Sequence, residues 1–174
     1  MFIDPHAEII SKTTWNDFIR FRISSPKIAL HAAPGQFLMI RVSDQPVPLL
    51  RRPLCVHDKE QDNIAIFFQR TGTGTELLSR KQKGDYLDIL GPLGNGFFIP
   101  RNSSGKSILV GGGRGIAPLV FLSRTMQNRG LPHHIYYGAQ TSAGLPLRDE
   151  LAQTSLFCTT EDSSFGTSGL ITSF

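Results

Sequence analysis

Residues 107–119 read SILVGGGRGIAPL, and their interpretation decides the fold. Ser107, Ile108, Leu109 and Val110 form a short apolar run of the kind a buried strand carries. Gly111, Gly112 and Gly113 then remove every side chain from the turn, before Arg114 and Gly115. A helix is expected over residues 117–129, because Pro118 is tolerated only in a first turn and Gly130 stands past the end. Such a turn between strand and helix is either a plain tight turn or a place where backbone N–H groups and a helix N-terminus meet a pyrophosphate. Two common phosphate-binding patterns do not fit. The pattern G-x-G-x-x-G would need glycine at Ile116, and Gly105-Lys106-Ser107 precedes a strand, with Pro100 where a P-loop has its first glycine.

Downstream, a strand at 134–137, a short helix at 147–153 and a strand at 156–159 continue the alternation. Strands separated by helices imply right-handed parallel crossovers. Three strands within residues 105–174 make an α/β layer that looks unfinished, so either the sequence is a fragment or a partner completes it. Upstream, residues 1–101 punctuate as an all-β unit. Ile19, Phe21 and Ile23 alternate with Arg20 and Arg22, and Pro34-Gly35 marks a turn before a strand at 36–42. Further strands are expected at 49–56, 64–70 and 86–90, with a proline-bearing loop at 44–48 and one helical turn at 77–81. Five or six short strands suggest a small antiparallel barrel. The polar stretch 100–105 reads as a linker between the two units.

The bulk properties agree with a folded protein. Of 174 residues, 40% are hydrophobic and 18% charged, enough to form a core. The net charge of +4 is scattered and not interleaved with aromatics, so nucleic-acid binding is a weak reading, and the basic balance suits anionic small molecules such as nucleotides equally well. The start, MFIDPHAEIISK, has an early Asp4 and no apolar run, so no secretory leader is expected, nor any membrane span. Cys55 and Cys158 read as free thiols of a reducing cytoplasm and cannot build a four-cysteine metal site. His133 and His134 are adjacent, so along a strand they point to opposite faces and read as structural or surface groups. No nucleophile triad or metal-ligand spacing is present.

Three more motifs could hold an anion. In Arg51-Arg52-Pro53-Leu54-Cys55-Val56, an arginine beside a proline can present its guanidinium fork to a phosphate. Arg52, Leu54 and Val56 then share one face, with Cys55 on the other unless the strand bulges. In residues 67–79, FFQRTGTGTELLS, a Gly-Thr-Gly-Thr loop feeds an apolar pair and exposes N–H groups and hydroxyls. The Gly- and Pro-dense GPLGNGF at 91–97 is an interdomain turn or a place of close backbone approach to a ligand. The bland alternatives are a solvated basic pair and an ordinary hairpin loop.

Taken in order, PGQF, RRPLCV, TGTGTELLS, GDYLDILGPLGNGF and GGGRGIAPL, followed by YGAQT, LPLRDEL and TTEDSSFGTSGLIT, resemble the ferredoxin-reductase superfamily from about Trp15 onward. Within it, GPLGNGF tips the resemblance toward the electron-transfer subunits of class 1B dihydroorotate dehydrogenases. The resemblance implies a six-stranded antiparallel Greek-key barrel binding FAD over residues 1–101 and a truncated parallel α/β domain for NAD(H) over 105–174. It places Arg52, Pro53, Leu54 and Cys55 on FAD, with Arg52 at the pyrophosphate and Cys55 near the flavin N5. Phe67, Phe68 and Gln69 correspond to the aliphatic-aromatic-basic stretch of that site, and Gly74 and Thr75 to its pyrophosphate loop. Gly111, Gly112, Gly113 and Gly115 fall on the nicotinamide-nucleotide side. In the family, FAD takes a hydride from NADH and passes electrons singly through a [2Fe–2S] centre to an FMN-containing dihydroorotate dehydrogenase catalytic subunit, in a hetero-oligomer serving pyrimidine biosynthesis.

Four departures stand out. Cys55 replaces a hydroxyl with a weaker donor, Gln69 replaces a basic residue, and Arg114 stands at an aliphatic or small position, where an outward, solvated side chain is expected. The Cys-Gly-Pro segment and the four cluster cysteines of the family have no counterpart in these residues, which cuts the electron path. A second reading is therefore a non-catalytic partner-docking module with a degenerate flavin barrel; a third is the reductase subunit of another NAD(P)H-linked oxidoreductase.

Overall fold

In the computed structural model, residues 1–43, 49–101 and 105–173 are described. The expected loop at 44–48 and the central residues of the expected linker, 102–104, lie outside them. The chain divides into two compact units, Met1–Phe97 and Phe98–Phe174.

The first unit begins with β1 (Phe2–Trp15) and β2 (Phe18–Ser24), followed by α1 (Pro26–His31) and β3 (Phe37–Arg41). It continues through β4 (Arg52–Glu60), β5 (Asn63–Gln69), α2 (Thr73–Arg80) and β6 (Tyr86–Leu93). The six strands close into a barrel in the order β1-β2-β5-β4-β3-β6, every pair antiparallel. Strands β3, β4 and β5 are joined consecutively and β6 returns beside β3, which is the Greek-key arrangement. Period-2 patterning drives the closure: Ile19, Phe21 and Ile23 on β2, Ile64 and Ile66 on β5, Leu38 and Ile40 on β3, and Leu87 and Ile89 on β6 are all buried. Two elements were not legible. β1 carries Pro5 among polar residues, and its register slips between Asp4 and Ala7, a break that accommodates the missing N–H of Pro5. Short α1 opens on Pro26 and buries only Ile28 and Ala29.

The GPLGNGF segment folds back on the PGQF turn. Phe97 N–H donates to the Pro34 carbonyl at 2.7 Å, and Gln36 Nε2 donates to the Gly94 carbonyl at 3.0 Å. Gly35, at φ +94°, lies directly under the Phe97 ring, where any side chain would collide.

The second unit holds β7 (Ser107–Gly112), α3 (Ala117–Asn128), β8 (His133–Ala139), α4 (Arg148–Leu151), β9 (Ser155–Thr160) and β10 (Thr167–Ser168). The sheet order is β10-β9-β8-β7, with every pair parallel. Leu109, Ile135 and Tyr137 are buried with Val120, Phe121 and Leu151 of the helices. His133, expected to be either a structural or a surface group, is a core group: its Nδ1 lies 3.1 Å from the Leu131 carbonyl and its Nε2 2.8 Å from Ser123 Oγ. Among the described residues no helix is long and apolar enough to cross a membrane.

Candidate functional site

The site in the first unit is a fork between two strands. β4 pairs with β3 from Arg52 to Cys55, whereas its register with β5 runs only from Val56↔Ile66 to Glu60↔Asn63. β5 meanwhile stays with β2 as far as Gln69↔Phe18, so the two strands part at their ends. A register slip falls between Val56 and Asp58, beyond Cys55, so the alternation of residues 52–56 is intact and Arg52 and Cys55 lie on opposite faces.

Arg52 stands at the mouth of this fork, and α2 begins across from it. The helix starts at Thr73, earlier than the turn expected at 77–81, which puts Gly74 in its first turn. The Arg52 side chain lies over Gly74. A Cβ there would stand 3.0 Å from the guanidinium carbon and 3.1 Å from Nη2, so only glycine leaves room for this placement. Arg52 Nη1 donates to the Leu50 carbonyl at 2.7 Å, and among the described residues Arg52 has no carboxylate partner. Its neighbour differs. Arg51 donates to Asp88 Oδ2 at 2.6 Å and to the Asp88 carbonyl at 2.8 Å, a partly buried pair that joins the start of β4 to β6.

Thr75 organises the loop itself. Its Oγ1 accepts from Thr71 N–H at 3.0 Å and Gly72 N–H at 3.2 Å, and donates to the Gly72 carbonyl at 3.0 Å. The hydroxyl is therefore engaged, and it is the backbone N–H groups of the first helical turn that have no intrahelical acceptor. A positive guanidinium above unpaired N–H donors is a cradle for an oxyanion.

The other sequence candidates divide by exposure. Pro53 is exposed and Leu54 and Cys55 half-buried, with burial pushing the Cys55 thiol above the ordinary thiol range. Gln69 is half-buried at the strand end. Phe67 and Phe68 are both buried, Phe67 stacked on Phe18 at 5.4 Å and Phe68 edge-on to Phe21 at 5.5 Å. Their rings are taken up by the barrel's own packing. The fork, the Leu50 carbonyl and the Arg51–Asp88 pair had no signal in the sequence, since each depends on strand register.

In the second unit the glycine run is divided between elements. Gly111 and Gly112 belong to β7, and Gly113–Ile116 form a 3-10 turn leading into α3. Gly111 is required by packing, since a Cβ would lie 3.1 Å from both Ile116 and Leu119, and Gly113 by its φ of +49°. Around Gly115 there is open space, and Arg114 is exposed.

A closed antiparallel barrel followed by a parallel α/β unit is the ferredoxin-reductase-like fold. The structure of an NADH-dependent reduced ferredoxin-NADP oxidoreductase, described for its insights into flavin-based electron bifurcation, superposes with a TM-score of 0.85 and 32% identity, over 97% of this chain and 61% of that one. No family model matches the chain. Two curated relatives are named dihydroorotate dehydrogenase B (NAD(+)), electron transfer subunit. That of Geobacillus thermodenitrificans is 39% identical over 86% of this chain and 60% of its own length. That of Bacillus velezensis is 36% identical over 96% of this chain and 67% of its own length. The chain belongs to the family of dihydroorotate dehydrogenase B electron transfer subunits. It spans about 60% of the length of the curated relatives it matches.

Proposed function

We propose that this chain is the FAD-holding part of a flavoprotein that passes electrons between NAD(H) and a dihydroorotate dehydrogenase catalytic subunit, in pyrimidine biosynthesis. One observation carries the reading: the Arg52 guanidinium, without a carboxylate partner among the described residues, lies across Gly74 at the start of α2. This arrangement fits a diphosphate, whose charge the guanidinium meets on one side and the helix N–H groups on the other. Bound there, FAD would supply the conversion between two-electron chemistry at a nicotinamide and single-electron delivery to a partner.

The chain's own residues do the binding and the tuning. Arg52 and the first turn of α2 fix the diphosphate, while Pro53, Leu54 and Cys55 line the β4 arm of the fork. The neutral Cys55 thiol offers only a weak hydrogen bond where relatives by resemblance have a hydroxyl. The Gly111–Gly115 turn, open around Gly115, is the place for the phosphates of NAD(H). The name of the relatives, an electron transfer subunit, supports a catalytic partner; that this partner carries FMN and assembles with the chain as a hetero-oligomer is implied by the family resemblance and belongs to the same proposal.

The test is a titration of flavin-free protein with FAD, followed by fluorescence quenching and then by anaerobic addition of NADH. Saturable binding is expected, weakened in Arg52→Ala by about 1.5–3 kcal/mol, the scale of a charged hydrogen bond. Protein that leaves flavin fluorescence unchanged would overturn the reading. Bound flavin that NADH fails to bleach would keep the barrel assignment and remove the nucleotide role of the second unit.

A further inference from the structure

Beyond the point where the fork opens, the β5 arm stands on one neighbour. Its register with β4 ends at Val56↔Ile66, whereas that with β2 runs on to Gln69↔Phe18. Among the described residues, Phe67, Phe68 and Gln69 therefore have a strand partner on the β2 side alone. The loop that carries Gly72 and Gly74 continues from this arm, so its placement depends on how firmly the end of the arm is held.

The turn between β1 and β2 does the holding. It consists of Asn16 and Asp17, between the paired Trp15 and Phe18. Asn16 takes the left-handed conformation at φ +50°, which asparagine tolerates better than most residues. Arg70 N–H donates to the Asp17 carbonyl at 2.9 Å, one step past Gln69. Arg70 Nη2 donates to Asp17 Oδ1 at 2.7 Å and lies 3.4 Å from the Asn16 carbonyl. The rings of Trp15 and Phe18 meet Phe67 from the same turn, at 6.3 and 5.4 Å.

The far end of the loop is tied as well, since Thr71 and Gly72 both give their N–H to Thr75 Oγ1. A loop fixed at both ends is ordered before a ligand arrives, so binding does not have to supply that order. Arg70 follows the neutral Gln69, but Asp17 meets its charge, which leaves Arg52 as the cation of the cradle. The Arg70 and Asp17 side chains are 40% and 60% exposed, and ion pairs so open to water add little to global stability. Their effect is expected where they sit, at the root of the loop.

We infer that Asp17 and Arg70 form a positioning pair: from the β1–β2 turn they fix the root of the loop at 71–75, so that Gly74 and the N–H groups around it stand ready for a diphosphate beside Arg52. The inference rests on the flavin reading of the fork and can fail separately from it.

Asp17→Ala, Arg70→Ala and the double variant test this, each made in the whole chain. Amide hydrogen exchange of the flavin-free protein reads the loop directly, and an FAD titration and a melting curve accompany it. Either single substitution should quicken exchange over 71–75 by about fivefold. Either should also raise the FAD dissociation constant about fivefold, the effect of a loop that binding must now order. The double variant should lie within about twofold of each single one, as two residues acting as a unit require. The melting temperature should fall by no more than about 4 °C. Unchanged exchange and affinity in both single variants overturn the inference. Tighter FAD binding in Asp17→Ala also overturns it, since Arg70 would then be a phosphate ligand that Asp17 withholds. A larger fall in melting temperature, with exchange quickened throughout the barrel, overturns it in favour of general support of the fold. A parent chain that binds no FAD removes the diphosphate role and the flavin reading together, whereas a parent that binds FAD as tightly as its variants removes the pair's role alone.

Discussion

Arg51 and Arg52 are sequence neighbours with different duties because of what lies across from each. Asp88 on β6 neutralises Arg51, whereas Arg52, among the described residues, donates to the Leu50 carbonyl and meets no carboxylate, a contact that orients a guanidinium without cancelling its charge. The motif RRP announces a possible anion site, but which arginine stays available is decided by pairing across the barrel, and no local pattern encodes that. Gly74 offers a sharper probe than the arginine itself. Alanine in the first turn of α2 would displace the flexible guanidinium instead of the backbone, and it removes a glycine from a helix. Gly74→Ala is therefore expected to weaken FAD binding about tenfold, or ~1.4 kcal/mol, while thermal stability holds or rises. A fluorescence titration paired with a melting curve checks both signs at once, and unchanged affinity would separate Gly74 from the site.

At the scale of elements, what was legible followed hydrophobic period. β2, β5 and β8 were read from alternating or continuous apolar runs, and α3 from its proline start and glycine stop. β1 and α1 were missed because their burial comes from neighbours: β1 is paired on both sides despite its polar residues, and α1 hides only two side chains. The glycine run was read as a turn, yet two of its members extend β7, since pairing with β8 continues to Gly112↔Gly138. The join between α3 and β8 rests on a hydrogen bond that only the fold reveals. The Leu131 carbonyl can only accept, so His133 Nδ1 carries the proton and Nε2 accepts from the Ser123 hydroxyl. Ser123→Ala leaves that buried nitrogen without a donor and should cost about 1–3 kcal/mol, read as a lower urea midpoint. Ser123→Thr, which keeps the hydroxyl, should recover part of the loss.

For the molecule as a whole, the buried protons set its tolerance of alkali. Burial pushes the pKa values of Cys55, Cys158 and Tyr137 up, with Arg148 partly opposing the shift at Cys158 and Tyr137. Above about pH 8.5 for the thiols and about pH 10 for the tyrosine, the unfolded chain releases protons that the folded chain retains. Stability must then fall as pH rises through that range, whereas below it both states are protonated and these groups contribute nothing. The urea midpoint should decline between pH 8 and 10.5, and Cys55→Ser combined with Cys158→Ser should flatten the first part of the decline. A profile that is flat in the parent chain would contradict the burial of these groups. Asp162 acts at the other extreme, its carboxyl held down by the Ser164 hydroxyl and N–H. That exposed contribution is present at neutral pH and fades as the carboxylate is protonated.

β7 closes one end of the sheet order, pairing with β8 alone among the described residues, and it carries Ile108 and Val110 outward. An edge of this kind is a template onto which another copy of the same strand can add, one molecule after another. Heating is therefore a route to irreversible aggregation as well as to unfolding, and a melting temperature measured on this chain will shift with scan rate and concentration.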